Sequence, residues 1–250
     1  MTPALFRSFS PRALTFLRAL KRNNNREWFA ARKNEYERLV REPMLALIER
    51  LAVDLPAFAP ELVASSKVSL YRIYRDTRFS GDKTPFKTHV AAVFPCRGLP
   101  KHQGAGLYLE VAPRWVWIGG GMYAPETSQL HAVREHIASN VNRLRTIVAS
   151  PSFRRAVGRL EGTTLQRVPR GFPKDHEAAE YLKFRQFLAG RQFPAPFATS
   201  NSFYAGVLKI FKHIAPLTRF LNEPLLAAGV PISKSGDLLS RTGPARRPLD

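Results

Sequence analysis

The chain has 250 residues and is 44% hydrophobic, enough for a sizeable core and too apolar for a disordered chain. Its 39 Lys+Arg against 19 Asp+Glu give a formal net charge of +20; this balance admits polyanions such as nucleic acid as partners, and it equally fits an Arg-, Ala- and Pro-rich composition. A single cysteine, Cys96, excludes a disulfide framework or a cysteine-built zinc site within one chain, and the sequence has no signal-peptide pattern and no long apolar run, so a cytoplasmic protein with no membrane partner is expected.

Ser10-Pro11 opens a first helix, with Leu14, Phe16, Leu17 and Leu20 on one broad face. The run 21–25 breaks it, and Asn25 is placed to cap a second helix through Trp28, Phe29, Tyr36 and Leu39 toward Leu51. Pro43 predicts a kink or a break in that helix. Residues 54–60, with two prolines, end the helical region.

The hydrophobic period then changes. Residues 67–78 alternate in part, and Val90 to Phe94 is a short apolar run. Leu107, Leu109 and Val111 alternate with Tyr108 and Glu110, the turn Ala112-Pro113-Arg114 follows, and Trp115 to Ile118 completes a predicted hairpin. Gly119, Gly120 and Gly121 allow a bend, or the close approach of a strand or ligand.

Helical spacing returns from Thr127 through Leu130, Val133, Ile137, Val141, Leu144 and Val148. Ser150-Pro151 starts a shorter helix that ends near Gly162. Asp175 is placed to cap a helix over 176–189, and a last helical stretch covers 203–228 with Pro216 and Pro224 interrupting it. Residues 231–250 lack periodicity and read as a mobile basic tail. The expectation is a single α+β domain over 1–230, with a mostly antiparallel central sheet (67–78, 86–94, 106–111 and 115–120) flanked by N- and C-terminal helices.

The segment 72–89 concentrates the chemistry: Arg72, Arg75, Arg78, Lys83 and Lys87 lie among Asp76, Asp82 and His89. So many cations in a short strand-turn-strand repel one another unless an anion is present, and Arg offers forked donors that fit phosphate or carboxylate. Arg72, Arg75, Arg78, Lys83 and Lys87 are therefore the candidate anion-binding residues. His89 and Asp82 are candidates for handling protons. If 68–78 is extended, Arg72, Asp76 and Arg78 share one face and Arg75 points away. Asp76 between arginines is the candidate structural ion pair, and the whole cluster also reads as a salt-bridge network without a ligand. A second polar constellation, Asp175-His176 with Arg167, Arg170 and Lys174, adds His176 as a candidate acid-base group that would meet the cluster in one cleft. No metal or cofactor signature is present: H-E-x-x-H and the phosphate-loop pattern are both missing. The partner expected first is a small anionic molecule, and nucleic acid bound through the wider basic surface is the alternative. The residues establish no particular reaction and no oligomeric state.

The string Arg72, Arg75, Asp76, Arg78, Phe79, Asp82, Lys83, Pro85, Lys87, Thr88, His89 resembles the signature of a bacterial family with fungal relatives, a conserved domain of unknown function. Residues 106–125 and 165–187 look like further pieces of it, so the resemblance spans roughly 5–228. It implies no activity. The family commonly has Tyr where this chain has Phe86, so a phenol proton donor is not available there.

Overall fold

Helices begin and end the described chain, residues 6–228 of a computed structural model, with a four-stranded antiparallel sheet between them: the expected α+β class. The expected tail, 231–250, lies outside the described residues.

α1 (Pro11–Arg22) starts where Ser10-Pro11 predicts and buries Leu14, Phe16, Leu17 and Leu20. Asn25 Oδ1 accepts the Trp28 N–H at 2.8 Å and caps α2 (Arg26–Ala30). α3 (Lys33–Tyr36) widens into a π turn over Glu37–Arg41 before α4 (Glu42–Asp54). That wide turn is the form the Pro43 kink takes. A proline ring crowds the carbonyl four residues back and has no N–H, and widening the preceding turn relieves both without breaking the chain.

β1 (Val90–Phe94), β2 (Gly106–Val111) and β3 (Trp115–Met122) follow, and 106–120 is the predicted hairpin. The expected long helix from Thr127 is two: α5 (Thr127–Ser139) and α6 (Val141–Ala149) meet at Asn140, whose φ of −135° is not helical. Ser150 Oγ caps α7 (Pro151–Val157), which stops at Gly158 (φ +84°), short of the expected Gly162. The helix expected over 176–189 is only α8 (Ala179–Leu182); Phe187 onward is β4 (Phe187–Pro194), paired along all eight residues with β3. Short apolar runs fit either period, and here the open edge of β3 decides. α9 (Phe203–Ala227) carries Pro216 and Pro224 without interruption. Its buried face includes Phe211, Ile214, Leu217 and Phe220; it packs on the sheet, with Phe211 edge-on to Phe94 at 5.4 Å, and on α5, where Phe220 lies 4.5 Å from the His136 ring. Such packing outweighs the hydrogen bonds the prolines remove.

The sheet runs β1-β2-β3-β4. Val90, Ala92, Phe94, Leu107, Leu109, Val111, Val116 and Ile118 are all buried and form the face toward α9 and the core. Alternation puts Ala91, Val93, Tyr108, Glu110, Trp117 and Leu188 on the opposite face.

The segment 67–78 is not the continuous strand expected. It touches the sheet through isolated bridges, Leu70 to Ala92 and Tyr74 to Phe86. Between these bridges the outer side advances four residues, 70 to 74, and the inner side six, 86 to 92, so the inner side bulges by two. A bend at Ile73 and a turn at Arg78-Phe79 interrupt the outer segment, so Arg72, Asp76 and Arg78 do not lie along one continuous strand.

Candidate functional site

The face of the sheet away from α9 is roofed by 71–89 on one side and by the loop 101–106 on the other. Beneath them is a cavity of about 110 Å³, lined by Tyr71, Lys87, His89, Ala91, Lys101, His102, Tyr108, Trp117, Tyr123 and Leu188, with the backbone of Gly106, Gly120 and Gly121 in its floor. The β-bulge between Phe86 and Ala92 carries Lys87 and His89 into this space.

The aromatic groups interlock. Tyr71 stacks on His102 with ring centroids 5.8 Å apart and meets Tyr108 edge-on at 6.2 Å; Tyr108 lies 5.5 Å from Trp117. The ammonium groups of Lys87 and Lys101 lie 5.0 Å and 4.6 Å from the centre of the Tyr71 ring. Behind them is a buried carboxylate. Glu110 accepts the Tyr108 hydroxyl at 2.8 Å and the Trp115 indole N–H at 3.1 Å, and His89 Nε2 is 3.9 Å away.

Burial governs the protons here. It lowers the Lys87 amine from 10.5 to about 8, helped by the positive charges of Arg72 and Lys101 and opposed by Glu110. Lys101 is lowered by burial as well. Burial also lowers His89, against the pull of Glu110, so at neutral pH its imidazole is uncharged and the 3.9 Å contact is not an ion pair. Tyr71 is pushed up to about 12 by burial, and Tyr108 well above the usual phenol range by burial and then by Glu110. The cavity thus favours uncharged bases and protonated phenols.

Two asparagines pin the roof. Asn24, after α1, donates to the Phe86 carbonyl at 2.9 Å and accepts its N–H at 3.1 Å. Asn222, buried on α9, makes the same pair of bonds with Ala105, at 2.9 and 2.8 Å. Each side chain replaces one rung of a β ladder and fixes one of the two segments that carry the lysines. The Gly run has a packing role beside them. A Cβ at Gly119 would lie 2.5 Å from the Trp117 ring, and one at Gly190 at the same distance, so these glycines make the seat on which the indole lies.

The expected site residues divide. Lys87 and His89 line the cavity, and Arg72, exposed, is close enough for its charge to act on Lys87. Arg75 is occupied elsewhere: its guanidinium donates to Asp82 at 2.5 Å and makes a short contact with Thr84 Oγ1. Arg78 grips Asp76 with two bonds, at 3.0 and 2.7 Å, and Lys83 Nζ donates to the Thr77 carbonyl at 2.9 Å. The Asp82 carboxyl is held at about 2, first by the Thr84 N–H and then by Arg75. Asp175 does not cap α8, which has no side-chain cap; His176 accepts the Ala178 N–H at 3.0 Å in the turn before it, and no residue of 165–177 is in the cavity lining. Phe86 is a core residue stacked on Phe29 at 4.2 Å.

Glu110, Tyr108, Tyr71, Lys101 and His102 were not singled out from the sequence, and Trp117 was read only as a core ring or one able to stack on bases. Tyr108 and Glu110 sit at the polar positions of an alternating strand, which read as a solvent face until a second layer covers it. A signal was present nonetheless: a Glu between two core residues, in a strand next to one flanked by Lys and His. Among the described residues no group of three or more His, Cys, Asp or Glu could hold a metal ion.

No curated protein and no solved structure matches the chain. A family model described as a conserved hypothetical protein (DUF2461) matches residues 12–220, and it covers the helices, the sheet and both segments that enclose the cavity. The chain belongs to that family.

Proposed function

We propose that the cavity on the open face of the sheet binds a small anionic molecule, a carboxylate or a phosphate. The observation that supports this reading is the pair of ammonium groups, Lys87 and Lys101, over one tyrosine ring in a half-enclosed space. Among the described residues neither is within ion-pair distance of a carboxylate, and each is held less basic by burial. Two like charges kept together at that cost have a purpose if an anion completes the set.

In this reading Lys87, Lys101 and the charge of Arg72 recognise the anion, and the aromatic wall excludes water. His89, neutral at pH 7, is the imidazole base in the cavity lining. Arg75, Arg78, Asp76 and Asp82 hold the turn above the cavity rather than the ligand, because each guanidinium already has its carboxylate. The volume is well below the ~300–1,000 Å³ of sites for drug-sized ligands, which favours a molecule of a few carbon atoms.

Calorimetric titration with phosphate and with short carboxylates tests this. Lys101→Gln removes one charge-assisted contact and is expected to weaken binding by about 1.5–3 kcal/mol, roughly 10- to 150-fold. Equal affinity in the variant would remove the cavity from consideration. Binding only to oligonucleotides, with a steep dependence on salt, would transfer the role to the basic surface.

A further inference from the structure

Lys87 differs from Lys101 in what stands behind it. It enters the cavity from the bulge that also delivers His89, and Glu110 and Arg72 both act on its charge. Its amine therefore shares an aromatic-walled cavity with a neutral imidazole and Lys101, and feels the charges of Glu110 and Arg72. A desolvated amine beside other cations is the arrangement that makes a lysine nucleophilic at neutral pH.

Resting on the anion-binding reading above, we propose that Lys87 forms a Schiff base with a small carbonyl compound that carries an anionic group, the simplest class being 2-oxo acids. Lys101 holds the carboxylate, with the charge of Arg72 nearby, which sets the carbonyl carbon against Nζ. The unprotonated Nζ forms the C–N bond while the carbonyl π pair moves to oxygen, and one Nζ proton passes to that oxygen to give a carbinolamine. The C–O bond then breaks, and the second Nζ proton leaves with the hydroxyl as water, so amine plus carbonyl yields imine plus one water. Nothing is oxidised or reduced. His89, uncharged and on the same bulge, is placed to relay those protons. The amine lowered to about 8 leaves a useful neutral fraction at pH 7–8, where an ordinary lysine has almost none.

Pyruvate and sodium borohydride are the test, with the intact protein and peptide mass spectrometry as readout. The expected result is a reduced carboxyethyl adduct on Lys87, at least tenfold above any other lysine, with a labelling rate that rises through about pH 8 rather than 10.5. Lys87→Arg keeps the charge but removes the nucleophilic amine and should lose the adduct. Phosphate should protect Lys87 from labelling. Labelling spread evenly over exposed lysines, or none on Lys87 while pyruvate still binds, overturns the Schiff base and leaves anion binding intact. Failure of both pyruvate and phosphate to bind the wild type overturns it together with the reading on which it rests.

Discussion

A half-buried ammonium without a carboxylate partner should cost the fold stability, and Lys87→Met measures that cost. The thioether side chain has nearly the length and volume of the lysine stem, so it fills the same space against Tyr71 without a new cavity. The drop of the amine from 10.5 to about 8 corresponds to at most about 3.4 kcal/mol against the charged form, at about 1.4 kcal/mol per pH unit. Solvent still reaches a side chain that is only half-buried, which reduces the figure to about 1–2 kcal/mol. For a chain of this length that is a rise in Tm of about 2–8 °C at pH 7. The pH dependence gives the sign. Below about 8 the amine is protonated in both states, and the folded state bears the whole cost. Between about 8 and 10.5 the folded state releases the proton while the unfolded chain keeps it, so the wild type gains stability relative to the variant as pH rises. Above 10.5 the cost is gone. Thermal melts of both proteins at pH 7 and near pH 10.5 check this. A variant less stable than the wild type at pH 7, or an advantage that does not shrink toward pH 10.5, would refute the placement of an unpaired ammonium in the cavity.

Asn222→Ala strands the buried N–H and C=O of Ala105 and should destabilise by about 2–4 kcal/mol; faster amide exchange across 101–106 would report the freed loop. Gly190→Ala forces a methyl to within 2.5 Å of the Trp117 ring and should cost about 1–3 kcal/mol, with a shift in tryptophan fluorescence from the displaced indole. Arg75→Ala, with the arginine 16% exposed and bonded to both Asp82 and Thr84, should cost about 1–3 kcal/mol in a urea melt, and Asp76→Ala, whose carboxylate is 15% exposed and holds Arg78, a similar amount. Carbon-detected NMR should find the Asp82 carboxyl titrating at about 2 rather than 3.8, so its contribution to the turn is complete above about pH 3.8 and is lost as pH falls through 2; an ordinary midpoint would mean that the Thr84 and Arg75 bonds do not persist in solution.

Local chemistry was legible in the sequence wherever neighbours along the chain decide the outcome. Ser10-Pro11 starts α1, Asn25 caps α2, Pro43 distorts the helix that contains it, and alternation plus Ala112-Pro113-Arg114 gives the β2–β3 hairpin. The α+β class followed from the change of period, and composition drew attention to the cation-rich segment 72–89, of which Lys87 and His89 line the cavity. Contacts between distant segments were not legible. Phe187–Pro194 has a composition that fits helix or strand, and the unpaired edge of β3 made it a strand. The two-residue bulge that turns Lys87 and His89 inward depends on where two bridges fall, and one-residue differences in register leave no mark on composition. Glu110 and Tyr108 looked like solvent positions because alternation tells which residues share a face, not what covers that face. Only the tertiary fold, with 71–89 and 101–106 tied down by Asn24 and Asn222 from opposite ends of the chain, converts that polar stripe into a cavity and separates the arginines that brace the turn from the lysines that face the space beneath it.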